Sequence, residues 1–228
     1  KDSVAGRSRS KLVLRGWQRD LIRNIYAQDD DGGYLRRFAL VGVPRKNGKS
    51  ALASHLAVFD LFFGPQGGET YSVAATRDQA RIVFGEAKRI VEWNEDLAKS
   101  AKIYRDAIEI PGANSVYRVL SAEAGAAEGL NSSAVWIDEL HAQPNRKMFD
   151  VMSLSMAARG AKSHMVAITT AGVRTDSTGR DSVCFDLYLD GQKIARGEVE
   201  DPFFWMALWE APEELVHRER VTWQLANP

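Results

Sequence analysis

The stretch that decides the fold is VGVPRKNGKSALA, from Val41 to Ala53. It joins an apolar, strand-like segment to a glycine-lysine-serine triplet, and the triplet opens a segment that favours a helix. At the start of a helix, free backbone N–H groups can wrap a phosphate while a lysine reaches the outer phosphate oxygens. The stretch therefore predicts a phosphate-binding loop between a buried strand and a helix.

The spacing of this loop departs from the usual motif. In the standard pattern four residues separate a first glycine from the glycine-lysine pair; that position holds Val43, and Gly42 lies one residue too early. A turn that opens a helix by chance is the alternative, but the strand-loop-helix context favours nucleotide binding. The residues expected to contact the nucleotide here are Pro44, Arg45, Lys46, Asn47, Gly48, Lys49, Ser50 and Ala51.

A second motif lies in AVWIDEL, where an apolar strand ends in Asp138 and Glu139. An aspartate at the end of such a strand can hold Mg²⁺ beside Ser50, so these two residues are the expected metal site. Glu139 can orient and deprotonate an attacking water, which argues for hydrolysis. The alternative is a strand that simply ends in solvated charges.

The nucleotide is expected to be ATP, because no NKxD motif for guanine recognition follows the loop. Gln18, next to Trp17, could bond the adenine edge while the indole packs nearby; a surface glutamine on a core-facing helix is the alternative. Arg45 lies within the loop itself. It could stabilise the transition state in cis, an effect of about 10³ to 10⁵ in rate, or make a ground-state contact only. The expected catalytic residues are therefore Glu139, Arg45 and Lys49.

The pattern of apolar residues alternates strands with helices. Helices are predicted within residues 12–27, 49–63, 76–94 and 145–160, and strands within 38–43, 70–76, 106–122, 133–140 and 164–172. In the second helix, Leu52, Leu56, Phe59 and Phe63 are expected to face the sheet. In the third, Thr76 and Gln79 have the spacing of a capping box. This alternation predicts an α/β fold of the P-loop NTPase class, of the additional-strand catalytic-glutamate type, with a mostly parallel central sheet flanked by helices.

Composition fits this prediction and limits others. The 228 residues include 30 lysines and arginines and 30 aspartates and glutamates, so no overall field attracts nucleic acid. The single cysteine, Cys184, excludes an intrachain disulfide and favours a reducing cytoplasm. No apolar run approaches the ~18 residues of a membrane span. The only basic candidates for DNA contact are RSRSKLVLRGWQR and a mixed-charge helix from Glu86 to Arg105.

These residues resemble the ATPase domain of the large terminase subunit, the DNA-packaging motor of tailed double-stranded DNA phages. The likeness rests on PRKNGKS with its arginine three residues before the glycine-lysine pair, on DELH, on GWQRDLI as an adenine motif, on AATRDQA, and on ITTAG as a coupling motif. The resemblance implies that Thr169 and Thr170 sense hydrolysis and transmit it to the DNA grip. Ordinary β-propensity in a buried strand would equally explain two threonines.

The resemblance also implies partners and a location. They are double-stranded DNA, a portal protein, a procapsid, a small terminase subunit and further copies of the chain in a ring, which an isolated domain need not form. The location would be the host cytoplasm, with the ring transiently docked on the procapsid.

Two features depart from the family pattern. Many relatives carry an arginine-glycine pair ten residues before the acid, where this chain has Glu128 and Gly129. Any arginine acting on a neighbouring subunit must come from elsewhere, with Arg159, Arg174 and Arg180 as unranked candidates. The family's nuclease domain is expected to be absent, so residues 1–228 are expected to form one motor domain without DNA cleavage, with residues 1–11 mobile and about 198–228 a C-terminal subdomain or linker.

Two other functions fit the same motifs. One is a helicase-like or other additional-strand ATPase that acts on nucleic acid outside capsids, and it would also have to oligomerise. The other is a nucleotide-dependent switch with little turnover, which Glu139 argues against.

Overall fold

The computed structural model describes residues 12–121, 129–170, 172, 174–211, 215 and 218–228. Within this part of the chain an eight-stranded sheet runs in the order β3-β4-β5-β2-β6-β7-β1-β8. Its strands are β1 (Phe38–Gly42), β2 (Glu69–Ala74), β3 (Lys102–Ile103), β4 (Ala107–Ile110), β5 (Ser115–Ser121), β6 (Ala134–Ile137), β7 (His164–Thr169) and β8 (Phe204–Leu208).

The sheet is parallel from β5 to β8 and antiparallel only where β4 joins β3 and β5. Strand β7 lies between β1, which leads into the phosphate loop, and β6, which leads into the acidic pair. This inserted strand confirms the predicted additional-strand topology. Because parallel strands end at the same edge, the loops after β1, β6 and β7 all meet there.

Helices cover both faces of the sheet. One apolar layer joins α1, α2 and α3 to the sheet, and a second joins α5 and α6 to its opposite face. The helices are α1 (Gly16–Ile25), α2 (Lys49–Phe63), α3 (Arg77–Trp93), α4 (Glu95–Ser100), α5 (Lys147–Ser155), α6 (Val183–Ala195) and α7 (Arg220–Leu225). None of the helices in the described ranges is long and apolar enough to cross a membrane.

Of the four α2 residues predicted to face the sheet, only the first two are buried. Leu52 and Leu56 are buried, but Phe59 and Phe63 are 45% and 71% exposed and stack on each other. Ala53, Ala57 and Leu61 complete the buried face instead. Because α2 is apolar on nearly every side, its sequence period does not fix which face packs, and the small alanines allow a close approach to the sheet.

The mixed-charge helix expected from Glu86 to Arg105 is wrong. Helix α3 begins at a Thr76 cap that forms the predicted capping box with Gln79, and it ends at Trp93. The Asn94 side chain then accepts the backbone N–H groups of the next turn and starts α4. An asparagine that caps a second helix ends the first one, so the charges do not form a single continuous face.

The C-terminal part adds elements that the sequence did not predict. Strand β8, within the segment expected to be a subdomain or linker, pairs in parallel with β1 along its whole length. All five of its residues are half-buried, so the strand lacks the alternation of buried and exposed positions by which strands are usually predicted. Helix α6 was also not predicted, and α5 ends at Ser155 before a 3₁₀ turn rather than continuing to Gly160. Residues 1–11, expected to be mobile, lie outside the described ranges.

Candidate active site

The phosphate loop turns sharply between β1 and α2. Lys46 and Gly48 have φ angles of 67° and 79°, and Gly48 occupies the N-cap position of α2. A left-handed φ at a cap costs glycine little, whereas Lys46 adopts it at some strain. No side chain caps this helix end, so its first N–H groups remain available to a phosphate.

Side chains from α2 and β6 converge beside this loop. The Ser50 hydroxyl donates to Asp138 Oδ2 at 3.0 Å, and the backbone N–H of Glu139 donates to Asp138 Oδ1 at 3.1 Å. Lys49 Nζ lies 4.0 Å from Glu139 Oε1, at the outer limit of an ion pair. The sequence therefore placed four residues correctly in one cluster, although two helices and several strands separate them along the chain.

Burial shifts the charges of this cluster. Lys49 is 7% exposed, and its burial lowers the pKa of its ammonium group, an effect that the Glu139 and Asp138 charges oppose and Arg45 reinforces. Burial raises the pKa of Asp138; the Ser50 hydrogen bond opposes that rise. Each shift reflects the cost of a charge held away from water. The cluster is thus electrostatically expensive without a ligand, which is typical of a functional site.

The backbone at Glu139 is also strained. Its φ and ψ angles are 50° and 56°, which lie in the left-handed region that residues other than glycine and asparagine rarely adopt. The strand ends one residue earlier, and the short 3₁₀ turn Leu140–Ala142 begins directly afterwards. Strain of this kind collects at functional sites because the surrounding structure must enforce it.

The coupling candidates contact Glu139 both directly and through His141, which was not among the predicted site residues. His141 Nδ1 lies 3.2 Å from Glu139 Oε2 and 3.0 Å from Thr169 Oγ1. Thr170 Oγ1 lies 3.4 Å from Glu139 Oε2. The sequence signal for His141 was its place in DELH, but only the side-by-side packing of β6 and β7 shows what it touches.

The expected adenine pair lies near the loop but is not open to a ligand. Trp17 packs edge-on against Trp209 at 5.4 Å and shares a small apolar cavity with Lys49. Gln18 is 2% exposed, and its amide oxygen accepts the Arg15 N–H at 2.9 Å. The alternative of a surface glutamine is therefore wrong. A bond from that oxygen to adenine would have to replace this contact at the start of α1.

Arg45 is exposed and makes no hydrogen bond or ion pair within the described ranges. It lines an open cavity of about 600 Å³ together with Thr170, Cys184, Phe185 and Trp209. This cavity lies beside the phosphate loop and does not include Lys49 or the acidic pair among its lining residues. This cavity was not predicted, because its walls come from β1, α6 and the unpredicted β8.

Asn47 of the phosphate loop and two of the arginines considered for a neighbouring subunit, Arg159 and Arg174, form hydrogen bonds or ion pairs within the domain. Asn47 donates its amide to Pro44 O at 3.3 Å and to Asn227 Oδ1 at 3.2 Å, so the C-terminal segment touches the loop. Arg159 donates to two backbone carbonyls near the amino ends of the strands, which ties it into the fold. Arg174 pairs with Asp181 at 3.0 Å. The expected departure at Glu128 lies outside the described residues.

The residues present fit a magnesium ion. Mg²⁺ is usually held by one or two protein oxygens while the substrate phosphates and waters supply the rest. Ser50 Oγ and Asp138 Oδ2 are two such oxygens, 3.0 Å apart at the start of α2. In the part of the chain that is described, no group of three or more histidine, cysteine or acidic side chains forms a complete metal cage.

Comparison with known proteins identifies the family. The family model described as "Terminase large subunit, ATPase domain" matches residues 16–187. The chain belongs to this family. The large terminase subunit of Enterobacteria phage HK97 is 28% identical over 222 residues, which are 95% of this chain and 41% of that protein.

Solved terminase structures share the fold. The crystal structure of the HK97 large terminase superposes with a TM-score of 0.78 at 25% identity, covering 95% of this chain and 43% of that one. The ATPase domain of the Thermus phage P74-26 large terminase has a TM-score of 0.54 at 23% identity, over 76% and 77% of the two chains. The terminase family and the additional-strand α/β fold predicted from the sequence are thus confirmed. The chain spans about two fifths of the length of the HK97 relative.

Proposed function

We propose that this terminase ATPase domain hydrolyses ATP and that hydrolysis drives double-stranded DNA into a procapsid. The observation that carries the catalytic part is the convergence of Lys49, Ser50, Asp138 and Glu139 at one edge of a parallel sheet. Family membership supports the packaging part.

Each member of the cluster has a distinct task in this proposal. Lys49 neutralises phosphate charge, and the free N–H groups at the start of α2 bind the same phosphates through the backbone. Glu139 orients the attacking water and accepts its proton, since its carboxylate is 30% exposed and can be reached from solvent. The strained backbone at Glu139 aims this side chain toward Lys49.

Ser50 and Asp138 would hold magnesium through their oxygens. When bound, the ion would withdraw charge from the phosphates and help to position them. Without it, the Ser50 hydroxyl donates to the Asp138 carboxylate and keeps both oxygens near the end of α2.

The proposal gives Arg45 a transition-state role. Arg45 is unpaired within the described ranges and close enough to Lys49 to lower the pKa of that ammonium group, after the larger effect of burial. A guanidinium with this freedom can turn toward the phosphate whose charge increases during hydrolysis. Lys46, also exposed, has no task of its own in the proposal.

The enzymatic part is tested by phosphate release from Mg·ATP with wild type and Glu139→Gln. The amide cannot accept a proton as the carboxylate does, so we expect a loss of at least about 10²-fold in kcat. Fluorescent ADP binding should stay within about threefold of wild type, because Glu139 acts on water. Equal phosphate release by the two proteins would remove the enzymatic function and leave a nucleotide-dependent switch.

Arg45→Ala separates catalysis from binding. A transition-state role predicts that hydrolysis is lost while nucleotide affinity stays within about tenfold, roughly 1.4 kcal/mol. Arg23→Ala is the matched control, because Arg23 is an exposed arginine on α1 that forms an ion pair with Asp20, three residues earlier in the same helix. Equal losses of affinity and rate would make Arg45 a binding residue.

The packaging part extends to partners that the family supplies. We propose that copies of the chain assemble as a ring on a portal protein, in the host cytoplasm, with a small terminase subunit and double-stranded DNA. The test is protection of added DNA from nuclease when procapsids, ATP and the full-length protein are combined. Hydrolysis without protected DNA, under conditions where a known terminase protects it, would favour another nucleic-acid ATPase.

A further inference from the structure

His141 occupies the junction between the acidic pair and the coupling threonines. Its Nδ1 atom lies 3.2 Å from Glu139 Oε2, 3.0 Å from Thr169 Oγ1 and 3.5 Å from Thr170 Oγ1. Its backbone N–H also points at Thr169 Oγ1, at 3.4 Å. The side chain is 18% exposed, so these contacts are largely shielded from water. One imidazole nitrogen therefore touches both functional segments.

The position of the proton on this ring follows from its neighbours. The Thr169 hydroxyl donates to Thr170 O at 2.9 Å, so its oxygen must accept in the hydrogen bond with His141 Nδ1, and the proton lies on Nδ1. Glu139 Oε2 lies 3.2 Å from this nitrogen, within the distance of an ion pair. His141 thus donates to Thr169 and presents the same N–H beside the Glu139 carboxylate.

The loop after β7 fixes the imidazole from its other side. A Cβ atom added to Gly172 would lie 2.3 Å from His141 Cβ, closer than any real pair of such atoms. Gly172 is therefore required for this packing, and a shift of Gly172 toward His141 must move His141. Movement of His141 would in turn change its 3.2 Å contact with Glu139 Oε2.

We infer that His141 is a positioning residue that aims the Glu139 carboxylate and links it mechanically to Thr169, Thr170 and Gly172. This inference rests on the proposed function, because it assigns how the catalytic glutamate is held and how its state reaches the coupling segment. Its required parts are a donor at the Nδ1 position and close packing on Gly172.

The test uses His141→Ala, which removes the donor, and His141→Asn, whose amide nitrogen can take the place of Nδ1. His141→Ala should lower kcat for Mg·ATP hydrolysis by about 10- to 100-fold, the effect expected when a polar donor beside a charged group is removed. KM and ADP affinity should stay within about threefold, since among the described residues no hydrogen bond or ion pair joins His141 to the phosphate loop. His141→Asn should recover at least about half of the lost factor on a logarithmic scale.

Gly172→Ala provides an independent second variant. The added methyl group must displace His141, so kcat should fall while the donor itself is intact. His55→Ala is the matched control, because the His55 ring forms its hydrogen bond within its own helix, with Ala51 O at 2.7 Å. Thermal unfolding of every variant shows whether a loss of kcat reflects a loss of folded protein.

The outcomes separate this inference from the proposed function. A kcat for His141→Ala within about twofold of wild type would overturn the positioning role, and so would equal losses in His141→Ala and His141→Asn. Parallel falls in kcat, ADP affinity and Tm would reduce His141 to a packing residue. If Glu139→Gln hydrolyses ATP as wild type does, the proposed catalytic function fails first, whatever the histidine variants do.

Discussion

The two ends of α2 hold acidic clusters of opposite character. At its amino end, Lys49 and Ser50 meet the acids that follow β6, and the strained backbone and shifted pKa values are typical of functional sites. About 16 Å farther along the helix axis, Asp60 is 5% exposed and has its hydrogen-bond partners in place. The same strands, β6 and β7, contribute to both clusters.

Both oxygens of the buried Asp60 carboxylate accept hydrogen bonds from side chains of the protein. The Tyr26 hydroxyl donates to Asp60 Oδ1 at 2.8 Å, and the Trp136 indole donates to Oδ2 at 2.7 Å. His164 Nε2 lies 3.4 Å from Oδ2 without hydrogen-bond geometry, and Tyr34 packs on the His164 ring at 4.4 Å. Burial raises the pKa of Tyr26, and the charge of Asp60 reinforces the rise, so the phenol remains a donor.

The comparison separates two uses of a buried carboxylate. At Asp60 the protein supplies both donors, so the cluster joins α1, α2 and β6 and stabilises the fold. At Asp138 and Glu139 two carboxylates lie side by side near one cation, Lys49, and burial and the charge of Glu139 raise the pKa of Asp138, so a metal ion could relieve their repulsion. Substitutions at one end should therefore change activity, and substitutions at the other should change stability.

The largest expected effect is on activity. Lys49→Ala should lower phosphate release by about 10³-fold, equivalent to about 4 kcal/mol in transition-state stabilisation, because it removes the cation that we propose neutralises the phosphates. Tm should change by less than about 2 °C, since a buried charge is also removed. Steady-state kinetics and calorimetry measure the two quantities. A large fall in Tm with hydrolysis preserved would reverse the assignment of this end.

Asp60→Ala should have the next largest effect, on stability. It leaves the Trp136 donor buried without its acceptor and leaves the Tyr26 hydroxyl only the longer bond to Leu56 O, at 3.4 Å. The cost is about 3 kcal/mol, which corresponds to a fall in Tm of about 9 °C. ADP affinity of the folded protein should be unchanged. Asp20→Ala is the control, because Asp20 is exposed and its ion pair within the described ranges is with Arg23. A normal Tm would show that Asp60 does not stabilise the fold.

Tyr26→Phe should lower stability by a smaller amount, about 1 to 2 kcal/mol, because Asp60 keeps the Trp136 donor. Denaturant unfolding provides the measurement. Tyr34→Phe retains the ring that packs on His164 and should differ from wild type by less than about 0.5 kcal/mol. Equal losses in the two variants would show that the effect does not come from the hydrogen bond between Tyr26 and Asp60.

The smallest effect should be a gain. Because the pKa of Asp138 is raised by burial, its contribution to stability is complete only below the ordinary aspartate pKa and is lost as pH rises through the raised value. In EDTA without nucleotide, Asp138→Asn should therefore raise Tm by about 2 °C near pH 7.5. The gain should shrink as pH falls toward the ordinary range. A gain that grows in acid would contradict the sign of this shift.

Local signals in the sequence were enough to predict the motif-bearing elements. The capping box at Thr76, the apolar run before Asp138 and the glycine at position 48 each act through neighbours in the chain, and the structure has all three as expected. The parallel direction of most strands was predicted from the alternation of strands and helices along the chain. These features depend on periodicity and turn chemistry, which one sequence contains.

Features that depend on packing between distant segments were not predicted. The contact of His141 with Thr169 requires the register of β6 against β7, and the burial of Gln18 requires the docking of α1. Strand β8 and the cavity beside Arg45 arise from pairing with β1. Residue roles at the nucleotide site remain predictions that the kinetic experiments test.

The left-handed backbone at Glu139 has a practical consequence for protein engineering. Sequence optimisation that rewards conformational ease would replace this residue with glycine or asparagine, and the redesigned chain would gain stability. The same replacement would delete the proposed general base. A thermostable version of this domain should therefore hold position 139 fixed and look for its gains among exposed surface residues such as Phe63 and Ile82.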